Sequence, residues 1–440
     1  IMDNVLRNNA KEIFLAGVEI VKPDILIPHF VSLENDVLKI ENHRFQLAEI
    51  RNIYLTGAGK ASALMAKAIE NILGSRISSG HIVTKYGHAV PLKYAFVTEA
   101  GHPVPDENGV KGTESILSIV NKASKNDLVI CVISGGGSAL LTDIPDGCTL
   151  NDLKILTDLL LKSGANINEM NCIRKHLSKV KGGMLSSAAY PARVVSLILS
   201  DVIGDPLDVI ASGPTAPDPT TFKDALDIIE KYGIKDKIPA GITKILNEGL
   251  NKIRKETLKE SDEAFKLTTN LIIGNNKLAL KKASKKAEAL GYTTKIITDS
   301  LHSDVEDVAD YIFSKLIKYR NEKPGKKSCL LFGGEPTIKI TGDGLGGRNQ
   351  HLALLMAQKI NGINGVVFLS GGTDGTDGPT DAAGAIAEPE TLKRSEALGL
   401  DINKYISDCD SYNFFRQEGG LIKTGPTQTN VMDLIMVLIN

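Results

Sequence analysis

Short apolar runs alternate along the chain with segments in which apolar residues recur every three or four positions. Residues 53–56, 128–133 and 194–199 are runs of the kind that form strands buried on both faces. Strands are also expected at 81–84 and 94–97. After the first run, the spacing of Ala61, Leu64, Met65, Ala68, Ile69 and Ile72 gives a helix with one apolar face. Helices are expected near 107–123, 150–163 and 168–177. From 222 to 269 the pattern is helical and charged, with no strand signal until 271–273. The strand–helix rhythm then restarts, with helices at 276–290, 303–318 and 348–360 and strands at 293–298 and 329–332. This alternation predicts an α/β protein with helix-covered parallel sheets, built as Rossmann-like domains. At 440 residues the chain is too long for one ordinary core, so we expect two domains, 1–245 and 246–440.

Composition narrows the function classes. A formal net charge of -1 argues against a general electrostatic grip on nucleic acid or anionic lipid. The five cysteines are scattered, with no C-x-x-C pair, which suits a reducing compartment and neither a disulfide framework nor a thiolate zinc site. Residues 1–22 read as an amphipathic helix interrupted by charges rather than a signal peptide, and no run is long enough to span a membrane. The expected location is cytoplasmic.

Candidate chemistry lies in glycine-rich loops at strand ends, where backbone N–H groups can approach an anion and a helix N-terminus adds partial positive charge. These loops are Gly57–Lys60, Ser134–Ser138 and Ser370–Asp381, with a fourth glycine cluster, Gly342–Gly347, ahead of Arg348. The first is not a P-loop: Tyr54 stands where the leading glycine belongs, and Ala61 replaces the hydroxyl residue. As a dinucleotide fingerprint it lacks the third glycine, which is Ser62, and the next strand ends in Thr84 and Lys85 with no ribose-binding acid. Lys60 is a cation at a helix N-terminus, a placement that makes sense with an anion between them. Ser138 is no hydrolase nucleophile, since Leu140 stands where the nucleophile elbow needs glycine. Asp374, Asp377 and Asp381, and separately Asp201 and Asp205, are hard-oxygen clusters suited to Mg2+. The histidines have no zinc spacing. The run 174–183 (R-K-H-L-S-K-V-K-G-G) offers a second anion site through Arg174 and Lys181.

Taken in series, these segments resemble the type II glycerate kinases, the glycerate 2-kinase family whose C-terminal part is the MOFRL domain. The matching stretches are G-A-G-K-A-S at 57–62, G-H-P-V-P-D at 101–106, S-G-G-G-S-A-L at 134–140 and the run at 174–183. They continue with S-D-V-I-G-D-P at 200–206, I-A-S-G-P-T at 210–215, G-G-E-P-T at 333–337, G-L-G-G-R-N-Q at 344–350 and S-G-G-T-D-G-T-D-G-P-T-D-A-A-G at 370–384. The resemblance implies ATP-dependent phosphorylation of D-glycerate to 2-phosphoglycerate with Mg2+, in an active-site cleft between two α/β domains. It implies catalytic roles for Lys60, Arg348 and Asp201. Substrate contacts are expected from Lys60, Arg174, Lys181, Ser134, Gly135, Gly136 and Ser138. Nucleotide or phosphate contacts are expected from Gly333, Gly334, Glu335, Gly346, Gly347, Gly371, Gly372 and Thr373, and metal contacts from Asp374 and Asp377. The expected partners are the small molecules D-glycerate and ATP, with a homodimer as the assembly to consider. The competing expectations are NAD(P)H-dependent hydroxypyruvate reduction and a non-catalytic anion-binding regulator.

Overall fold

The computed structural model describes residues 2–440, with side chains from Val5 onward; Ile1, the first residue of the expected N-terminal helix, lies outside the described residues. The chain divides into two compact units, Leu26–Ile273 and a second made of Ile1–Ile25 with Gly274–Asn440. This differs from the expected division at 245/246 in two places, each for a physical reason given below.

The unit Leu26–Ile273 is built on a six-stranded sheet. Its strands are β1 (Ile53–Ala58), β2 (Ile77–Lys85), β3 (Phe96–Ala100), β4 (Leu128–Ile133), β5 (Arg193–Leu199) and β6 (Thr268–Gly274), in the order β3-β2-β1-β4-β5-β6. The pairs β1–β2, β2–β3, β1–β4 and β4–β5 are parallel. β1 and β4 are buried at every position, which is why they read as unbroken apolar runs rather than alternating ones. The strand order is that of a doubly wound fold, and it reverses direction between β1 and β4. Ligands of such folds bind beyond the carboxyl ends of the strands at that point. β6 completes this sheet, so the unit runs to Ile273 rather than ending near 245.

The helices α1 (Ser62–Leu73), α2 (Glu107–Val120), α3 (Gly137–Leu140) and α4 (Ile167–His176) follow or join these strands. The segment 222–269 contributes helices Phe222–Lys231 and Ala240–Leu250, whose Phe222, Ile229, Ile242 and Leu246 share an apolar core with Ile173 of α4. A small antiparallel sheet of Val31–Glu34, Val37–Ile40 and His43–Gln46 was not foreseen; its four-residue strands are too short to register as a pattern.

In the second unit the strands are β7 (Thr293–Leu301), β8 (Ser328–Gly334), β9 (Val366–Gly372), β10 (Gly384–Ala387), β11 (Leu421–Ile422) and β12 (Asp433–Ile439), in the order β7-β8-β12-β9-β10-β11. This sheet is mixed: β7–β8 is parallel, and the remaining pairs are antiparallel. Its helices include α5 (Asn276–Ala289), α6 (Val305–Glu322) and α7 (Arg348–Ile360). Phe332, Phe368, Met356, Ile435 and Val437 lie at the centre of its core. The helix Met2–Glu19 belongs here because Phe14 is wholly buried against Gly371 and because Gly17 packs tightly on this unit, with Leu434 2.7 Å and the Ala279 carbonyl 3.1 Å from where a Cβ would stand. Among the described residues no helix is long and apolar enough to cross a membrane.

One buried carboxylate fastens the approach to β3. Glu70 on α1 is 4% exposed and accepts the backbone N–H groups of Lys93, Tyr94 and Ala95 at 2.7–3.1 Å. Glu70→Ala leaves these donors without a partner and is expected to lower unfolding stability by about 2–4 kcal/mol. Glu70→Gln, which keeps one acceptor oxygen, should lose less. Urea denaturation midpoints check both, and an unshifted Glu70→Ala midpoint would remove the clasp from the account.

Candidate active site

The carboxyl ends of β1 and β4 carry the two glycine loops of the first unit, and hydrogen bonds join them. Lys60 N–H donates to the Gly135 carbonyl at 2.9 Å, and Ala61 N–H donates to Ser134 Oγ at 3.0 Å. Ser62 Oγ lies 3.1 Å from the same hydroxyl. Ser134 is thus a buried fastener between loops rather than a group facing a ligand.

The next two residues are faced by polar and charged side chains. The Asp201 carboxylate lies over Gly135, with Oδ2 1.9 Å from where a Cβ would stand. Over Gly136, in the left-handed region at φ 85°, the Lys60 Cε lies 3.4 Å and the His102 ring 3.0 Å from the equivalent point. Alanine at Gly135 would collide with the carboxylate, and at Gly136 it would adopt a strained backbone and press on the imidazole. These glycines therefore admit Asp201, Lys60 and His102 to one loop. Burial, reinforced by Lys60, Lys85 and His88, pushes His102 down to about 4, so it is neutral near pH 7. His88 is anchored through Nδ1, 3.1 Å from the Lys60 carbonyl. Among the described residues neither Lys60 nor Arg174 forms an ion pair, and burial lowers the pKa of Arg174. A desolvated guanidinium with no protein counter-charge is a site for an anion.

Other expected contacts have different occupations. Lys181 is buried, and its ammonium donates to the Leu141 carbonyl just beyond α3. Burial pushes it down to about 8 despite nearby Asp143. Its protein partner makes it a support of the loop rather than an open anion contact. Ser138 is half-buried, with Oγ 2.8 Å from that of Ser212.

In the second unit, Arg348 opens α7 and grips buried Asp433 through two nitrogens, Nε–Oδ2 at 2.6 Å and Nη2–Oδ1 at 3.0 Å. Its remaining terminal nitrogen lies 3.0 Å from the half-exposed Glu335. The two acids hold the guanidinium charged, its pKa raised above the ordinary value even though burial opposes this. The Glu335 contact is the exposed one and so the one a phosphate could displace. Asp377, expected to hold metal, instead caps α7. Its Oδ1 accepts Asn349 N–H at 3.0 Å and Nδ2 at 3.2 Å, and its Oδ2 accepts Gln350 N–H at 2.8 Å. Burial and neighbouring Asp433 push its carboxyl up to about 6 against the pull of these donors.

The glycines expected to contact phosphate are filled by the chain itself. Gly333 faces Asn276, Gly334 faces Leu301, Gly346 faces Ser411 and Gly347 faces Asp377. Gly371 faces Phe14, and Gly372 faces Thr376 and Asp374. Thr373 is fully buried and bonded to Val431 and Met432. Packing alone therefore accounts for glycine at these positions.

Among the described residues no three His, Cys, Asp or Glu side chains are grouped to hold a metal ion. A Mg2+ ion carried mainly by nucleotide phosphates and water needs only one or two carboxylates. Asp374 fits that need: Oδ1 accepts Thr376 N–H at 3.0 Å, while Oδ2 has no protein hydrogen bond. The sequence reading passed over His102, Asn171 and Ser212. His102 and Ser212 lay within the stretches 101–106 and 210–215 already quoted, whereas Asn171 carries no local signal.

A stability measurement separates capping from metal binding at Asp377. Asp377→Asn turns one acceptor into an amide donor facing N–H groups, and urea denaturation should show a loss of about 2 kcal/mol without any metal. Unchanged stability with a shifted Mg2+ requirement would instead support a ligand role.

Residues 9–247 match the family model described as a domain of unknown function, DUF4147, and residues 328–433 match the MOFRL family. The D-glycerate 2-kinase of Thermotoga maritima is 41% identical over 99% of this chain and 98% of its own length. The crystal structure of a glycerate kinase from Thermotoga maritima superposes with a TM-score of 0.88 at 41% identity, covering 99% of this chain and 100% of that one. A protein of Agrobacterium vitis, 40% identical over 88% of this chain and 86% of its own length, bears a provisional hydroxypyruvate reductase name. With this identity and coverage, and with both halves matched, the chain belongs to the glycerate 2-kinase family.

Proposed function

We infer that this protein is a D-glycerate 2-kinase, which transfers the γ-phosphoryl group of ATP to the 2-hydroxyl of D-glycerate in the cytoplasm. The observation that carries this reading is the convergence of a cation, Lys60, and a carboxylate, Asp201, on adjacent glycines of one loop. A small hydroxy acid presents a complementary pair of groups. Its carboxylate suits Lys60, with Arg174 as a second cation, and its hydroxyl proton suits Asp201. In the proposed reaction the 2-oxygen bonds to the γ-phosphorus, the bond from that phosphorus to the β–γ bridging oxygen breaks, ADP departs and Asp201 takes the proton. Bound Mg2+ would neutralise charge on the phosphates, with Asp374 the carboxylate best suited to hold it. Arg348 would exchange Glu335 for a phosphate oxygen while keeping Asp433.

The reductase reading lacks support at the residues it would need. Ser62, in place of the third fingerprint glycine, is buried against Ser134, and Thr84 at the end of β2 is buried and donates to the Gly59 carbonyl.

Incubation with D-glycerate and Mg-ATP should release ADP and give 2-phosphoglycerate by phosphorus NMR, while hydroxypyruvate with NAD(P)H should show no absorbance change. Oxidation of NAD(P)H without ADP release would reverse the assignment. Lys60→Ala should lower kcat by about 10²–10³-fold with an unchanged melting temperature. Arg348→Ala should also lower turnover, but with a loss of stability, because Asp433 would remain buried without its counter-charge. Asp201→Asn that retains full turnover at every Mg2+ concentration would eliminate Asp201 as the base.

A further inference from the structure

Ser138 stands two residues beyond Gly136, so its Cα lies within about 7.6 Å of the position faced by Lys60. Its hydroxyl is the outer end of a short chain. Ser138 Oγ lies 2.8 Å from Ser212 Oγ, and Ser212 Oγ donates to Asn171 Oδ1 at 3.1 Å. Ser212 is wholly buried and Asn171 is 2% exposed, so both inner members are withdrawn from bulk solvent.

Proton counting fixes the direction of this chain. The Asn171 amide oxygen has no proton, so Ser212 must use its own toward it. The contact between the two serines must then use the proton of Ser138. Beyond the chain, Ser138 Oγ offers lone pairs alone. It can accept a hydrogen bond from a ligand and cannot donate one. A carboxylate or phosphate oxygen at this place would meet lone pairs and be repelled, whereas a neutral hydroxyl would be welcomed.

The backbone maintains the arrangement at some strain. Ala211 and Ser212 both lie in the left-handed region, at φ 51° and 60°. The Ala211 methyl occupies the space left by the missing side chain of Gly137, 2.6 Å from where a Cβ would be. Consecutive non-glycine residues in this conformation are sterically costly and persist where the surroundings over-determine them. Here they place the Ser212 hydroxyl between Ser138 and Asn171.

We propose that Ser138 is a specificity residue that accepts a hydrogen bond from the terminal hydroxyl of the substrate, and that Ser212 and Asn171 are positioning residues that fix its polarity. The inference rests on the glycerate reading above and narrows it: the site selects 2,3-dihydroxy acids over 2-hydroxy acids lacking the second hydroxyl. It also gives the acid a direction on the loop, with the charged end toward Lys60 and the neutral end toward Ser138.

The test compares binding of D-glycerate with that of D-lactate, the same acid without the terminal hydroxyl, by isothermal titration calorimetry on the full chain. The unaltered protein should prefer D-glycerate by about five- to tenfold, the range of one net hydrogen bond. Ser138→Ala should bring the ratio near one while leaving D-lactate affinity within about twofold. Asn171→Asp, which keeps an acceptor that cannot donate, should retain the preference, and Asn171→Leu should lose it. The inference is overturned if Ser138→Ala keeps the original ratio, if it weakens both acids equally, or if Asn171→Asp abolishes the preference. Should Ser138→Ala fail to fold, the two Asn171 variants decide. Failure of the kinase reading is seen separately, as no ADP release from D-glycerate and Mg-ATP by the unaltered protein.

Discussion

The hydrogen-bonded seam between the ends of β1 and β4 governs the geometry of the first unit's site. In a doubly wound sheet the chain leaves these neighbouring strands in opposite directions, which opens a crevice but also leaves two loops to diverge. Here Ser134 N–H returns to the Ala58 carbonyl, Lys60 N–H to the Gly135 carbonyl, and the Ser134 hydroxyl is shared by Ala61 and Ser62. Thr84 at the end of β2 adds a third anchor on the Gly59 carbonyl. With the backbone tied at these points, Gly135 and Gly136 hold their places, and the side chains above them inherit fixed positions. Asp201 comes from the loop after β5 and His102 from beyond β3, so four strand ends contribute to a small area.

The second unit is organised by buried charge. Asp433 begins β12, is wholly buried, and is matched by the guanidinium at the start of α7. Asp377 caps the same helix, so two carboxylates and one arginine share a helix N-terminus. One carboxyl is pushed up by burial and its acidic neighbour, while the arginine is held more firmly charged. Such a cluster is stable only while every member keeps its hydrogen bonds. Arg348 cannot then be regarded as a free catalytic cation. It is a structural residue with one solvent-facing contact, through Glu335, left to exchange.

Much of the first unit could be read from sequence because its determinants are local. An unbroken apolar run ending in Gly57–Lys60, followed by an amphipathic helix, specifies strand, turn and helix within about twenty residues. The Ser134–Ser138 loop follows in the same way from the run 128–133. Long-range relations were not legible. Nothing near Arg348 shows that Asp433, 85 residues away, will neutralise it. Asp377-Gly378 looks like an ordinary turn pair, and its capping role depends on the backbone of Asn349, 28 residues earlier. The glycines at 333, 346, 347 and 371 resembled ligand loops because close packing and ligand approach demand the same missing side chain. The amphipathic pattern of residues 1–22 showed that one face would be covered, but not by which core.

That last point bears on how the chain is made. The helix Met2–Glu19 leaves the ribosome well before the surfaces that cover it, α5 and β12. Arg7 meets Glu388 across a separation of 381 residues. Residues 26–273 form a continuous stretch that can complete its own sheet during translation. The early helix must wait with its apolar face uncovered until α5 and β12 have been made, and the closure of so large a loop carries an entropic penalty. In a crowded cell this interval is where chaperone capture or mispairing between nascent chains competes with native folding. The order of translation, rather than the final stability, thus makes the second unit the vulnerable half of the protein.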